Sequence, residues 1–216
     1  MINYTLLCDL FRLNREYSSL CAALTAPVSG RRKPFSVSGL SDGAETVFTA
    51  CIAADFASVN DPVLLLYPDE KQAARAKDFL VSLGIPAARF PAREYCFSNI
   101  GSSHDSEEER LCVLSSLAGV LPEENRPRVI TSTPEAVLQI TLPPESLRRL
   151  CVTLDADGPV DLSALSGSLA DAGYVRVELC EAPGQFAVRG GIVDIYPPAG
   201  QPVRVELFGD EVDRLA

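Results

Sequence analysis

The chain has 216 residues, enough for one large domain or two modest ones, and its 47% hydrophobic and 22% charged residues are those of a folded globular protein. A net charge of −10 with pI near 4.6 excludes nucleic-acid binding through a broad basic surface, because phosphate neutralisation needs clustered Lys and Arg. No apolar run approaches the ~18 residues of a membrane span and no secretory signal is seen, so the expectation is a cytoplasmic protein with no membrane partner.

In chain order, Leu6, Leu7, Leu10, Phe11 and Leu13 predict an amphipathic first helix. The basic turn Arg31-Arg32-Lys33-Pro34 then leads to a predicted strand, Phe35–Gly39, and a helix over Glu45–Phe56. The continuous apolar run Val63–Tyr67 predicts a strand buried on both faces. A helix over 70–83 follows, with Ala76, Phe79, Leu80 and Leu83 on one face and Gly84 beyond its end. Ser106 and Glu109 have capping-box spacing ahead of a further helix. Arg128–Thr131 reads as a strand, and Thr133-Pro134 reads as an N-cap with proline at N1. Strands alternating with helices predict an α/β domain with a parallel sheet.

Near residues 135–145 the rhythm changes. Asp161–Ala172 predicts one helix, and Tyr174–Cys180, Gln185–Arg189, Gly191–Tyr196 and Val203–Phe208 predict short strands divided by Pro and Gly turns. The fold class is therefore α/β over 1–138, followed by a smaller antiparallel α+β domain over 139–216.

The seven cysteines, Cys8, Cys21, Cys51, Cys96, Cys112, Cys151 and Cys180, match no metal or redox spacing and read as reduced thiols. The single histidine, His104, lies in a polar run and reads as a solvated loop residue. No metal or cofactor is expected. The strand–turn–helix at 36–47 has the layout of a phosphate-binding loop, in which backbone N–H groups close around phosphate and a Lys and Ser/Thr open the helix. Here Gly39 is followed by Ala44 where the second glycine stands, by Glu45 where the lysine stands, and by Thr46. A carboxylate in the cation's place repels the phosphates, so the loop is degenerate and holds no nucleotide.

Three further pieces carry a resemblance: Phe90-Pro91 with Ser106-x-x-Glu109-Arg110-Leu111, the run Ala187-Val-Arg189-Gly190-Gly191-Ile-Val-Asp194-Ile-Tyr-Pro197, and Val203-Arg204-Val-Glu206-Leu-Phe208-Gly-Asp210-Glu211. Together they are similar to the N-terminal UvrB-homology region of the bacterial transcription-repair coupling factor family. The excision-repair protein UvrB shares them but keeps a working lysine in its loop, so Glu45 favours the coupling factors. The resemblance implies a RecA-like first domain without ATPase capacity and a second domain that docks onto UvrA. The family is an ATP-driven DNA translocase that displaces stalled RNA polymerase, through helicase domains not present in this chain. The UvrA-contacting positions implied are Arg189, Arg204 and Phe208.

Read from the residues alone, alternation along a strand puts 204, 206 and 208 on one face, offering a cation and an aromatic to one partner. The same residues allow a plainer arrangement, with Arg204 paired to Glu206 or Asp210, Phe208 in the core and Arg189 paired to Asp194. Gly190 and Gly191 read as a turn or bulge. The expected function is a non-catalytic UvrA-recruitment module of transcription-coupled nucleotide excision repair. The alternatives are a UvrB-type nucleotide-dependent repair enzyme fragment using Thr46 and the Gly39 loop, and a small-molecule-binding α/β domain.

Overall fold

The computed structural model describes residues 4–27, 34–41, 43–93, 105–154, 158–198 and 200–215. The basic turn at 31–33, Asp42, Glu94, Cys96 and His104 lie outside the described residues. The chain divides into two compact units, Met1–Arg89 with Pro127–Pro134, and Phe90–Arg126 with Glu135–Ala216.

The first unit opens with helices α1 (Tyr4–Arg12) and α2 (Arg15–Thr25). They are separate because Asn14 takes an extended conformation and its side chain accepts from the backbone N–H groups of Glu16 and Tyr17, capping α2. Helix α3 (Ala44–Phe56) is built from small apolar residues, which lets it pack closely on both sides. Ala50, Ala53 and Ala57 meet Leu80, Leu83, Ile85 and Val129, while Cys51 packs with Cys8 and Tyr17 in a second cluster bordered by Phe11, Val47, Phe48 and Ile52. Inside that second cluster, Asp55 accepts hydrogen bonds from the Tyr17 hydroxyl at 2.7 Å and from Arg12 Nη2 at 2.5 Å.

Strand β1 (Val63–Leu66), helix α4 (Glu70–Ser82), strand β2 (Ala87–Phe90) and strand β3 (Val129–Ser132) complete the α/β layer. The three strands form a sheet of order β1-β3-β2, with β1 and β3 parallel in the register Val63↔Val129. Asp69 caps α4 by accepting from the Gln72 N–H, and the helix ends before Gly84.

Two expectations fail here. Val63–Tyr67 is not buried on both faces, because Val63 and Leu65 pack on the core while Leu64 and Leu66 are half exposed on the other side. Residues Phe35–Gly39 are not a strand. They have no ladder partner among the described residues, and Phe35 and Val37 are half exposed. An alternating apolar pattern makes a strand only when a neighbouring edge takes up its backbone hydrogen bonds.

The second unit holds α5 (Asp105–Leu117), α6 (Pro134–Leu138, whose first residue belongs to the other unit), α7 (Pro144–Leu150) and α8 (Leu162–Asp171). Helix α5 starts one residue before Ser106, so Ser106 is not its cap. Pro134 takes the first helical position of α6 as read from the sequence. Arg110 is buried, with its guanidinium 4.0 Å above the Phe90 ring and a hydrogen bond to the Pro91 carbonyl, so this motif works as an internal clasp.

The C-terminal strands are β4 (Val175–Arg176), β5 (Gln185–Arg189), β6 (Ile192–Tyr196), β7 (Val203–Phe208) and β8 (Glu211–Leu215), adjacent in that order in one sheet. The sheet is mixed, because β4 runs parallel to β5 while β5 to β8 are antiparallel. Only two residues of the strand read at 174–180 pair, and β8 was not anticipated. Helix α8, capped by Asp161, covers one face of this sheet. Its Leu165 and Leu169 pack with Phe186, Val193, Ile195, Val205 and Val212, the core of the unit.

Candidate functional site

The face of the five-stranded sheet opposite α8 carries the three residues singled out in the sequence. In β7, Val203, Val205 and Leu207 point to the core, which turns Arg204, Glu206 and Phe208 outward. This alternation holds across a bulge between Glu206 and Leu207. Phe208 is 84% exposed, so it fills no core. In β5, Phe186 and Val188 face inward and Arg189 lies on the outer side.

The two arginines converge on one carboxylate. Asp194, in the middle of β6, stands opposite Arg204 and Ala187 in the register of the sheet. Its Oδ1 accepts from Arg204 Nε at 2.6 Å, and its Oδ2 accepts from Arg204 Nη2 at 3.2 Å and from Arg189 Nη2 at 2.5 Å. The Asp194 side chain is 14% exposed, while those of Arg189 and Arg204 are 52% and 50% exposed. The Arg204 hydrogen bond, joined by that of Arg189, holds the Asp194 carboxyl below the usual carboxylate range against the opposing effect of burial. Arg204 is pushed up in return. Arg189 therefore has the Asp194 partner that the plainer sequence reading gave it, whereas Arg204 pairs with neither Glu206 nor Asp210 through a salt bridge. The shared use of Asp194 was missed. The signal was present in the Gly190-Gly191 turn, which folds β5 against β6 and makes 189 and 194 diagonal neighbours.

The two glycines are structural. Gly190 has φ +60°, a left-handed conformation suited to the turn. A Cβ on Gly191 would lie 2.8 Å from the Leu207 carbonyl oxygen, and Leu207 N donates to the Gly191 carbonyl at 2.7 Å. The hairpin thus approaches β7 at Leu207 more closely than any side chain allows, and this fixes Arg189 beside Arg204.

The glycine loop lies in the first unit. Gly39 and Gly43 both have positive φ, and Gly43 precedes α3 with no side chain capping the helix. Glu45 occupies the first turn, and its carbonyl accepts from the Thr49 hydroxyl. A cavity of about 330 Å3 beside it is lined by Glu45, Thr46, Tyr67, Gln72, Arg75 and Phe79. Burial, with the nearby Glu45 charge, raises the Tyr67 hydroxyl above its ordinary value. The Glu45 carboxylate supplies the negative charge that favours a helix N-terminus in the first turn of α3.

Burial, followed by the neighbouring Cys8, pushes the Cys51 thiol up to about 12, and burial also raises Cys112, Cys151 and Cys180. Such thiols hold little of the reactive thiolate at neutral pH. Among the described residues no three His, Cys, Asp or Glu side chains cluster as a metal site, and no helix is long and apolar enough to cross a membrane.

Residues 152–216, the stretch that carries this sheet, match the family model of the UvrB interaction domain. The transcription-repair-coupling factor of Bacillus subtilis (strain 168) is 33% identical over 184 residues, 83% of this chain. Over most of its length the chain is similar to transcription-repair coupling factors. The coupling factor of Staphylococcus aureus (strain MRSA252) is 26% identical over 182 residues, again 83% of the chain. That of Staphylococcus haemolyticus (strain JCSC1435) is 44% identical over 64 residues, 30% of the chain and 6% of the relative. The chain spans about 15% of the length of the coupling factors from B. subtilis and S. aureus.

Proposed function

We propose that this chain is a non-catalytic recruitment module of a transcription-repair coupling factor, which brings UvrA to sites of transcription-coupled nucleotide excision repair. The observation that carries the reading is the outer face of the C-terminal sheet, where an 84% exposed phenylalanine shares a strand face with one of two half-exposed arginines. Arginine and aromatic side chains dominate interface hot spots, and a guanidinium fork matches a partner carboxylate. The match of residues 152–216 to the UvrB interaction domain supports UvrA as the partner, and we assign Arg189, Arg204 and Phe208 as its contacts from their exposure on this face.

In this reading residues 1–138 form a RecA-like domain whose degenerate loop, Gly39, Ala44, Glu45 and Thr46, holds no nucleotide. Residues 139–216 form the UvrA-binding domain. Translocation on double-stranded DNA and contact with RNA polymerase belong to other parts of the full-length protein.

The test is titration of purified UvrA into the chain and into its Arg189→Ala and Arg204→Ala forms. Stoichiometric binding by the wild type, weakened at least tenfold in each variant, supports the reading. Equal binding by all three overturns the site. A parallel titration with Mg-ATP should give no specific heat, and micromolar binding would instead favour a UvrB-type nucleotide-dependent enzyme.

A further inference from the structure

Asp194 is the one carboxylate on the outer face that both arginines share, and its neighbours leave it no other task. Val193 and Ile195, on either side of it in β6, point into the core. Across the sheet it stands between Ala187, which is buried and small, and Arg204. Both of its oxygens are engaged by guanidinium N–H groups. Arg204 meets it side-on, through Nε and Nη2, so the Nη1 side of its fork makes no hydrogen bond among the described residues. Arg189 gives it only Nη2, which leaves Nε and Nη1 equally unused. Two guanidinium groups thus share one carboxylate, with the Glu206 charge acting on Arg204 from the same strand face.

We infer that Asp194 is a positioning residue of the partner-binding face: it orients Arg189 and Arg204 so that the unused edges of their guanidinium groups meet carboxylates of the partner. This inference rests on the reading of the face given above. A free arginine on a strand samples many rotamers, and binding must freeze them; one tethered before the encounter loses less freedom when the partner arrives. The Arg204 fork is also turned by the tether, because a side-on pair with Asp194 directs the opposite edge away from it.

The sign of the effect separates positioning from simple charge. Asp194→Asn removes a negative charge beside two arginines. If the face worked by Coulomb attraction alone, an acidic partner would bind this variant more tightly and associate faster. Positioning predicts the reverse. The variant should bind UvrA roughly tenfold more weakly, through faster dissociation, with an association rate equal to or above that of the wild type.

The measurement is association and dissociation of UvrA with the wild-type chain, Asp194→Asn, Asp194→Glu and the double variant Arg189→Ala/Arg204→Ala, the last with and without Asp194→Asn, each with its thermal midpoint. The inference expects three results together: the tenfold loss for Asp194→Asn at a nearly unchanged midpoint, partial recovery with Asp194→Glu, and no further loss when Asp194→Asn is added to the double variant. Unchanged or tighter binding by Asp194→Asn, with the double variant still weakened, overturns the role of Asp194 and leaves the face standing. Wild-type binding by the double variant overturns the face itself. A midpoint lowered by more than about 5 °C in Asp194→Asn assigns the residue to folding and overturns positioning.

Discussion

Asp55 and Asp194 are built alike and used differently. Each accepts hydrogen bonds from two side chains on other elements, Asp55 from Arg12 and Tyr17, and Asp194 from Arg189 and Arg204. Around Asp55 the charges run to surplus acid, because Arg12 also binds Asp9, and the Tyr17 ring is packed against Phe11 and Phe48. Around Asp194 two guanidinium groups share the one carboxylate, they are half in solvent, and Phe208 stands exposed on the same face. The first carboxylate is a joint that holds α1 and α2 to α3. The second is a mount for groups that have somewhere else to go. An ion pair gives no clue to which it is; what lies on its outward side does.

The sharpest way to break this comparison is to exchange the fates of two aromatic residues in the C-terminal sheet. Phe186 is buried under α8, and Phe186→Ala should destabilise the chain by about 3–5 kcal/mol, read as a lower urea midpoint. A loss below about 1 kcal/mol would mean that α8 does not close the core as described. Next in size is Tyr17→Phe, which removes the hydrogen bond to Asp55 and keeps the ring packing. It should cost about 1.5 kcal/mol of stability and leave UvrA affinity untouched. An effect on affinity would show that the Asp55 cluster is not merely a joint.

Acid sharpens the same contrast. Burial works to raise the Asp55 carboxyl, but hydrogen bonds from Arg12 and Tyr17 and the Arg12 charge outweigh it and leave the group below its ordinary value. A carboxyl lowered in the folded state adds stability above the unfolded value near 3.9, and that contribution is lost as pH falls through the folded value. Urea midpoints taken from pH 6 to pH 3 should therefore fall less steeply below pH 4 in Asp55→Asn than in the wild type. Parallel curves would remove Asp55 from the account. The smallest effect is expected at the glycine loop: Glu45→Gln should cost about 0.5 kcal/mol, the worth of a charge at a helix N-terminus, and should not create affinity for Mg-ATP.

Much of this architecture was legible from periodicity. Helices α3, α4 and α8 and strands β5, β6 and β7 follow runs whose apolar spacing, caps and turns agree with one another. What escaped the sequence depended on partners far along the chain. Phe35–Gly39 has the alternation of a strand but no neighbouring edge among the described residues. The second face of β1 is half exposed because burial on that side depends on which elements cover it, and spacing holds no such information. At the site, strand alternation put Arg204 and Phe208 on one face but left open whether that face was core or surface, which the 84% exposure of Phe208 answers. Their value as a surface followed from the family resemblance, since one exposed arginine and one phenylalanine are common in any β-strand. Asp194 was visible only as a possible partner of Arg189. That it takes both arginines needs the register of three strands at once.

The most direct test of the central claim is the UvrA affinity of Phe208→Ala, measured by titration calorimetry alongside its thermal midpoint. Phe208 is almost wholly in solvent, so the account predicts a midpoint within about 2 °C of the wild type and an affinity at least thirtyfold weaker. Wild-type affinity at an unchanged midpoint would contradict it, because the most exposed aromatic of the face would then contribute nothing to the partner it is proposed to meet.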